Sequence, residues 1–211
     1  MDLPGFDHLC AQCRRFGLTV DLIPQTGYAP ATEATLGSTL DPYLKELLSR
    51  WNGGRLWKLY LYGGDGSPNE LIGINRDLRL VSDDLPELAE LVLFGQIGNQ
   101  ATHLAVVPSV AGADGYQSVV LLDLNEEIVL VPVASNVDRS FELLGSYLDL
   151  LDLRTGNIQE GEMDLIFPWD VTDLIARDKD LIELIKQRAF DKYVRGGSDS
   201  NNFLNRITGG H

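Results

Sequence analysis

The chain has 211 residues, of which 44% are hydrophobic and 23% are charged, a composition typical of a globular protein rather than a disordered or fibrous one. Its 31 acidic residues outnumber the 17 basic residues and give a formal net charge of -14. Because nucleic acid is bound mainly by Lys and Arg, this charge argues against a nucleic-acid partner and favours a basic protein.

The first clear element is a helix that begins after Asp41. The Asp41 carboxylate can cap the first turn, Pro42 fits the first helical position, and apolar residues then recur at helical spacing as far as Trp51. The Asn-Gly-Gly block at residues 52–54 can adopt the left-handed conformation that ends a helix. We therefore expect the chain to reverse there and to enter a strand over residues 55–63.

Further strands are predicted from short aliphatic runs that are separated by turns containing Gly with Asn or Asp. They lie at residues 71–74, 91–94, 102–107, 118–124 and 128–133. A short acidic helix at 83–90 and a longer helix at 138–151 interrupt them. The sequence thus predicts an α+β domain over residues 1–151, in which a mostly antiparallel, twisted sheet carries helices on one face.

The residues beyond this domain predict a helical C-terminal extension over 152–211, packed on or beside the domain. Its main element is a long helix at 172–194, followed by a short amphipathic segment at 202–207. The charge is uneven here, since residues 141–185 hold 11 acidic and 3 basic side chains, whereas residues 186–206 hold 2 and 5. An acidic surface should therefore end before the C-terminal segment.

The cellular compartment is predicted from two features. Cys10 and Cys13 are the only cysteines, which is not the framework of a disulfide-rich secreted domain, so both are expected to be reduced. The first residues lack the basic and apolar regions of a signal peptide, and no apolar run approaches the roughly 18 to 20 residues of a membrane span. We expect a cytoplasmic protein that does not contact membranes.

Patterns that would indicate catalysis or a cofactor are weak. His8, Cys10 and Cys13 would supply three ligands, whereas a closed zinc site needs four. The GGDG at residues 63–66 lacks the Lys and Ser/Thr of a phosphate-binding loop, and no nucleophile elbow occurs. We expect no metal, cofactor or catalytic centre. A third hypothesis is a small hydrolase with dispersed carboxylates, which would require a cleft that holds an Asp or Glu of raised pKa.

Residues 31–54, ATEATLGSTLDPYLKELLSRWNGG, resemble the signature of the SUKH superfamily, which also includes a fungal regulator of cell-wall synthesis (SMI/KNR). In that signature an acidic residue precedes a Leu-Gly pair, a helix, and an aromatic residue followed by Asn-Gly-Gly. The matching residues are Glu33, Leu36, Gly37, Leu40, Leu44, Leu47, Leu48, Trp51, Asn52, Gly53 and Gly54. Residues 94–106 and 118–151 are similar to later segments of the family, so the resemblance covers residues 31–151. The matched positions imply the fold, not a catalytic site.

The resemblance implies a bacterial immunity protein of a polymorphic toxin system, because SUKH members often neutralise nuclease or other toxin domains by binding them. Carboxylates on an acidic surface could occupy the positions that nucleic-acid phosphates take in a cationic active site, so that the surface docks onto that site. Charge and turn position select the candidate partner contacts, which are Asp83, Asp84, Glu87, Glu126 and Glu127. The expected partner is a basic cognate toxin, and the oligomeric state, monomer or homodimer, stays open.

A non-catalytic regulatory scaffold is the alternative that the fungal relative suggests. In a scaffold, the apolar face of the predicted 172–194 helix would be free to dock a partner. In a compact inhibitor the same face would pack on the core and be protected from hydrogen exchange.

Overall fold

The architecture was obtained from a computed structural model. It describes residues 1–25, 31–64, 70–80, 82, 85–98, 101–112, 114–125, 127–156, 158 and 166–209. Among these residues, no helix is long and apolar enough to cross a bilayer.

The centre of the protein is a seven-stranded antiparallel sheet in which the strands follow one another in chain order. The strands are β1 (Val20–Pro24), β2 (Trp51–Leu56), β3 (Leu59–Leu61), β4 (Val92–Ile97), β5 (Thr102–Ala111), β6 (Gln117–Asp123) and β7 (Val129–Ala134). Hairpins and helical excursions connect them, so every neighbouring pair is antiparallel. The predicted α+β class is therefore confirmed.

The helices flank this sheet and make up most of the C-terminal region. They are α1 (Pro4–Arg15), α2 (Ala31–Leu36), α3 (Pro42–Arg50), α4 (Leu71–Leu80), α5 (Pro86–Ala89), α6 (Val137–Thr155), α7 (Thr172–Ile175), α8 (Lys179–Lys186) and α9 (Gly197–Thr208). A short 3-10 helix, Trp169–Val171, precedes α7.

One face of the sheet is covered by α6, with α1 and α3 beside it. Phe141 of α6 meets Phe94 of β4 edge-on, with ring centroids 6.2 Å apart, and it meets Phe6 of α1 at 5.2 Å. Gly5 allows α1 to lie directly on α6, because a Cβ there would stand 2.0 Å from the carbonyl oxygen of Asp138. The closeness of these helices fixes where the N-terminus of α6 lies.

The Asn-Gly-Gly block lies inside strand β2, so the prediction of a reversing turn there is wrong. Helix α3 ends at Arg50, and Trp51 already has extended backbone angles. Gly54 pairs with Leu22 of β1 and has a φ of +139°; a Cβ there would lie 2.4 Å from the carbonyl oxygen of Asp21. The glycine therefore permits β1 to approach β2 and does not serve to end the helix.

Three other predicted elements differ from the structure. The strand expected at 55–63 is divided between β2 and β3 by a tight turn at Trp57, which has a φ of +53°. The strand expected at 71–74 is helix α4, because its apolar residues continue at helical spacing to Leu78, which is buried. The single helix expected at 172–194 is broken into α7 and α8, since Asp178 caps a new helix start.

The C-terminal extension shares the core of the domain and covers one edge of the sheet. Arg195 exchanges both backbone hydrogen bonds with Leu130 of β7, at 3.2 and 3.0 Å. Buried apolar side chains run continuously from Leu3 to Ile207 in one cluster. The edge strand is thus protected from pairing with other chains.

We predict that Gly54→Ala will lower the free energy of unfolding by about 3 kcal/mol or more, because it combines a disallowed backbone conformation with a backbone clash. Gly37→Ala is the matched control: Gly37 has a φ of +64°, but a Cβ added there would have no atom within 4 Å. The control should lose only about 1 kcal/mol. Urea unfolding measures both, and equal losses would contradict the close-approach role of Gly54.

Candidate docking groove at the start of helix α6

Two adjoining pockets surround the N-terminus of α6. The first, which we call the acidic groove, has a volume of about 450 Å³ and is lined by Gly112, Asp114, Tyr116, Ser135, Asn136, Asp180, Glu183 and Leu184. The second, the histidine pocket, has a volume of about 390 Å³ and is lined by Pro4, Gly5, His8, Tyr43, Asn136, Asp138, Arg139 and Glu142. Asn136, the N-cap of α6, belongs to both.

A pair of stacked tyrosines stands between the two pockets. The rings of Tyr43 and Tyr116 lie 4.6 Å apart and within 15° of parallel. Tyr43 lines the histidine pocket and Tyr116 lines the acidic groove. Burial and the neighbouring Tyr116 raise the pKa of Tyr43 to about 12, so the pair adds no charge to either pocket near pH 7. The pair therefore offers a flat aromatic surface to each pocket.

The buried carboxylate of Asp41 holds this aromatic pair together. One oxygen accepts the backbone amides of Tyr43 and Leu44 at the start of α3, at 2.8 and 3.1 Å. The other oxygen accepts the amide of Gln117, 2.7 Å away, where β6 begins. Tyr43 is one of these donors and Tyr116 directly precedes another, so the carboxylate ties together the two segments that carry the rings.

Asp178 joins α8 to the end of β7 in the same manner. One of its oxygens accepts the amide of Leu181 in the first turn of α8, at 3.1 Å, and the other accepts the amide of Ser135 at 2.7 Å. This second aspartate brings Asp180 and Glu183, which follow it on α8, to the side of the groove opposite Asp114.

Asp138 is the third aspartate of this kind, and it bears on the hydrolase hypothesis. Burial raises its pKa, and it lines the histidine pocket. Both of its oxygens, however, are occupied by backbone amides of α1, from Gly5 at 2.9 Å and Phe6 at 3.1 Å. These bonds give it the geometry of a helix cap that ties α1 to α6.

The acidic groove carries negative charge that no ion pair neutralises, and the cation beside it is Arg139 of the adjoining histidine pocket, which interacts electrostatically with Asp180. Asp114, Asp180 and Glu183 are exposed, and none of them forms an ion pair with another residue of the described chain. Among the residues that the structure describes, no Lys or Arg lines the groove. Elsewhere many carboxylates are paired, for example Glu33 with Lys45 at 2.8 Å. A cation could therefore enter the groove without displacing an internal ion pair.

None of the predicted partner contacts that the structure describes lines the acidic groove. Glu87 forms an ion pair with Arg195 and keeps only 11% of its side chain exposed, so it ties α5 to the C-terminal segment and offers little charge to a partner. Glu127 is exposed and lines a separate depression beside Arg195. Asp83, Asp84 and Glu126 lie outside the described residues.

The groove residues were missed by the sequence analysis, although some signals were available. Asp180 and Glu183 are spaced three apart in the strongly acidic segment, which places them on the same side of a helix. Asp114 lies in a turn that the sequence did predict. Nothing in the sequence indicates that this turn meets α8, because that contact depends on how Asp178 reaches the backbone of Ser135.

The two cysteines do not contribute a reactive site. Both thiols are buried in α1, and burial raises the pKa of Cys10 to about 11 and that of Cys13 to about 12. Within the part of the chain that the structure describes, no group of three His, Cys, Asp or Glu side chains is arranged to hold a metal ion.

No protein-family model matches this sequence, and no curated protein matches it. The resemblance to the SUKH superfamily therefore stays a prediction.

We predict that Asp41→Asn will destabilise the protein by about 2 kcal/mol, because the amide NH2 would face a backbone donor. Burial raises the pKa of Asp41, even though three backbone amides lower it. The folded protein therefore holds this proton to higher pH than the unfolded chain, and the stabilisation from that proton is lost as pH rises through the folded pKa.

The difference in unfolding free energy between wild type and Asp41→Asn should thus shrink from pH 4 to pH 8. Urea unfolding monitored by tryptophan fluorescence measures it. A difference that grows with pH would contradict the conclusion that burial raises the pKa of Asp41.

Proposed function

We propose that the protein is an immunity protein that binds a basic toxin domain in the cytoplasm and blocks it, using the acidic groove as the contact surface. The observation that carries this proposal is the set of three exposed, unpaired carboxylates beside the tyrosine pair. An interface that combines an aromatic surface with complementary charge is the usual form of a specific protein contact.

The overall charge supports the same proposal. A net charge of -14 steers a cationic partner toward the protein and accelerates association, most strongly at low ionic strength. The unpaired carboxylates of the groove concentrate this attraction at one place. Inhibition by occupying a cationic active site needs complementarity and no chemistry from the inhibitor itself.

The packing of the C-terminal region favours an inhibitor over a scaffold with a free docking helix. Six large apolar side chains of this region are buried, namely Ile175, Leu181, Phe190, Tyr193, Phe203 and Ile207, and others, such as Leu174, Ile182 and Ile185, are half-buried against the same core. Lys192 also pairs with Glu90 at 2.6 Å and holds this region onto the rest of the protein. An apolar face that is already buried is not available to a partner.

The proposal is tested by co-expressing the protein with the toxin encoded next to it and scoring cell survival and complex formation. Wild type should protect the cells and co-purify with the toxin. A triple variant, Tyr116→Ala with Asp180→Asn and Glu183→Gln, should weaken the complex about 100-fold or more, since it removes an aromatic contact and two charges from one site.

The charge-matched control is Asp21→Asn with Asp173→Asn. Both aspartates are exposed, neither lines the groove, and neither forms an ion pair with a described residue. The control should protect as well as wild type. Absence of protection and of any complex with wild type would overturn the proposed function, whereas equal losses in both variants would assign binding to overall charge.

A further inference from the structure

A buried hydroxyl in the acidic groove has no hydrogen-bond partner among the described residues. It belongs to Ser135, which lines the groove with 8% of its surface exposed. The backbone amide of Ser135 is fixed by Asp178 at 2.7 Å. A buried hydroxyl without a partner costs free energy, so a ligand or partner group that entered the groove beside Ser135 would gain by completing the bond.

Charged acceptors approach the same groove from two separate elements. Asp114 comes from the turn between β5 and β6, and Asp180 and Glu183 come from α8. Because no cationic side chain of the described chain lines the groove, these acceptors suit a ligand that brings several donors and a positive charge.

The Tyr116 side chain in the wall of the groove favours a ligand with a planar group. Tyr116 is half-buried, and one face of its ring is stacked on Tyr43. Because Tyr116 also lines the groove, a planar cation there can stack on the part of the ring that Tyr43 leaves uncovered. A guanidinium is planar and presents five N–H donors in a fixed fork, whereas an ammonium is a compact charge with three donors.

We propose that the acidic groove binds the guanidinium of an arginine presented by the partner, stacked on Tyr116 and hydrogen-bonded to the carboxylates and to the Ser135 hydroxyl. The volume of about 450 Å³ is sufficient for the arginine side chain together with part of the loop that carries it. This deepens the proposed function and rests on it, since it names the group through which the basic partner is recognised.

The experiment uses N-acetyl-arginine-N-methylamide as a probe, titrated into the ¹⁵N-labelled full chain and followed by two-dimensional NMR. Its uncharged isostere, the citrulline analogue, and the corresponding lysine compound are the comparisons. We expect a Kd on the order of a few millimolar for arginine, since one residue in an open groove makes few contacts. Lysine should bind several-fold more weakly, and citrulline at least about tenfold more weakly. The shifted amides should be those of residues 114–116, 135–136 and 180–184.

Two serine variants separate a binding role from a structural one. Ser135→Ala should weaken arginine binding several-fold while leaving the melting temperature unchanged or raised, because it removes a buried hydroxyl without a partner. Ser118→Ala is the matched control, since the Ser118 hydroxyl is also buried without a partner among the described residues but does not line the groove. It should leave arginine binding unchanged. Tyr116→Leu should weaken binding about tenfold or more.

The proposal is overturned if citrulline binds as well as arginine, if the shifted amides are scattered over the surface, or if no compound binds. It is also overturned if Ser135→Ala and Ser118→Ala have the same effect on binding. Because no toxin is used, these results are independent of the co-expression test. If arginine does not bind but the protein protects cells, the immunity contact lies elsewhere on the surface. If arginine binds but the protein does not protect cells, the groove is a guanidinium site and the immunity function is rejected.

Discussion

The candidate site depends on buried or half-buried aspartates that each join two elements through backbone amides. Asp41 connects α3 to β6, Asp178 connects α8 to β7, and Asp138 connects α6 to α1. Each of these side chains caps a helix by accepting backbone amides at the helix start, and together they fix the elements around the start of α6. These aspartates are therefore part of the internal hydrogen bonding of the fold. Only carboxylates left unpaired, such as Asp114, Asp180 and Glu183, are available to a partner.

Much of the fold could be predicted because its signals are local. The capping of α3 by Asp41 and Pro42, the strands β4 to β7 and the helix α6 all follow from patterns within about ten to twenty residues. One error arose where a distant contact decides, since Gly54 lies in a strand that β1 approaches closely. The error at α4 was local, because its first four residues resemble a strand although the helical spacing continues to Leu78. Helix α1, strand β1 and helix α2 were not predicted, since the first thirty-six residues carry only short and mixed patterns.

The candidate site could be predicted only in its general character. Charge predicted an acidic docking surface, but it gave no means to distinguish a carboxylate that binds a partner from one that is internally paired, such as Glu87 with Arg195. The groove combines Gly112, Asp114 and Tyr116 with residues 135–136 and with Asp180, Glu183 and Leu184, three groups that are far apart in the sequence. The second oxygen of the capping Asp178 joins the last two of these groups. A sequence pattern can predict that an aspartate caps the helix that follows it through one carboxylate oxygen. It contains no information on which distant backbone amide the other oxygen accepts.

We infer that the Asp41 carboxylate holds the two segments of the tyrosine pair together and that this pair forms one wall of the proposed binding surface. The most direct test is NMR of the Asp41→Asn protein at neutral pH, measuring the nuclear Overhauser contacts between the Tyr43 and Tyr116 rings together with the affinity for the arginine compound. We expect a folded protein in which the ring contacts disappear and arginine binding weakens about tenfold. Ring contacts that persist, or an affinity that is unchanged when they are lost, would contradict this claim.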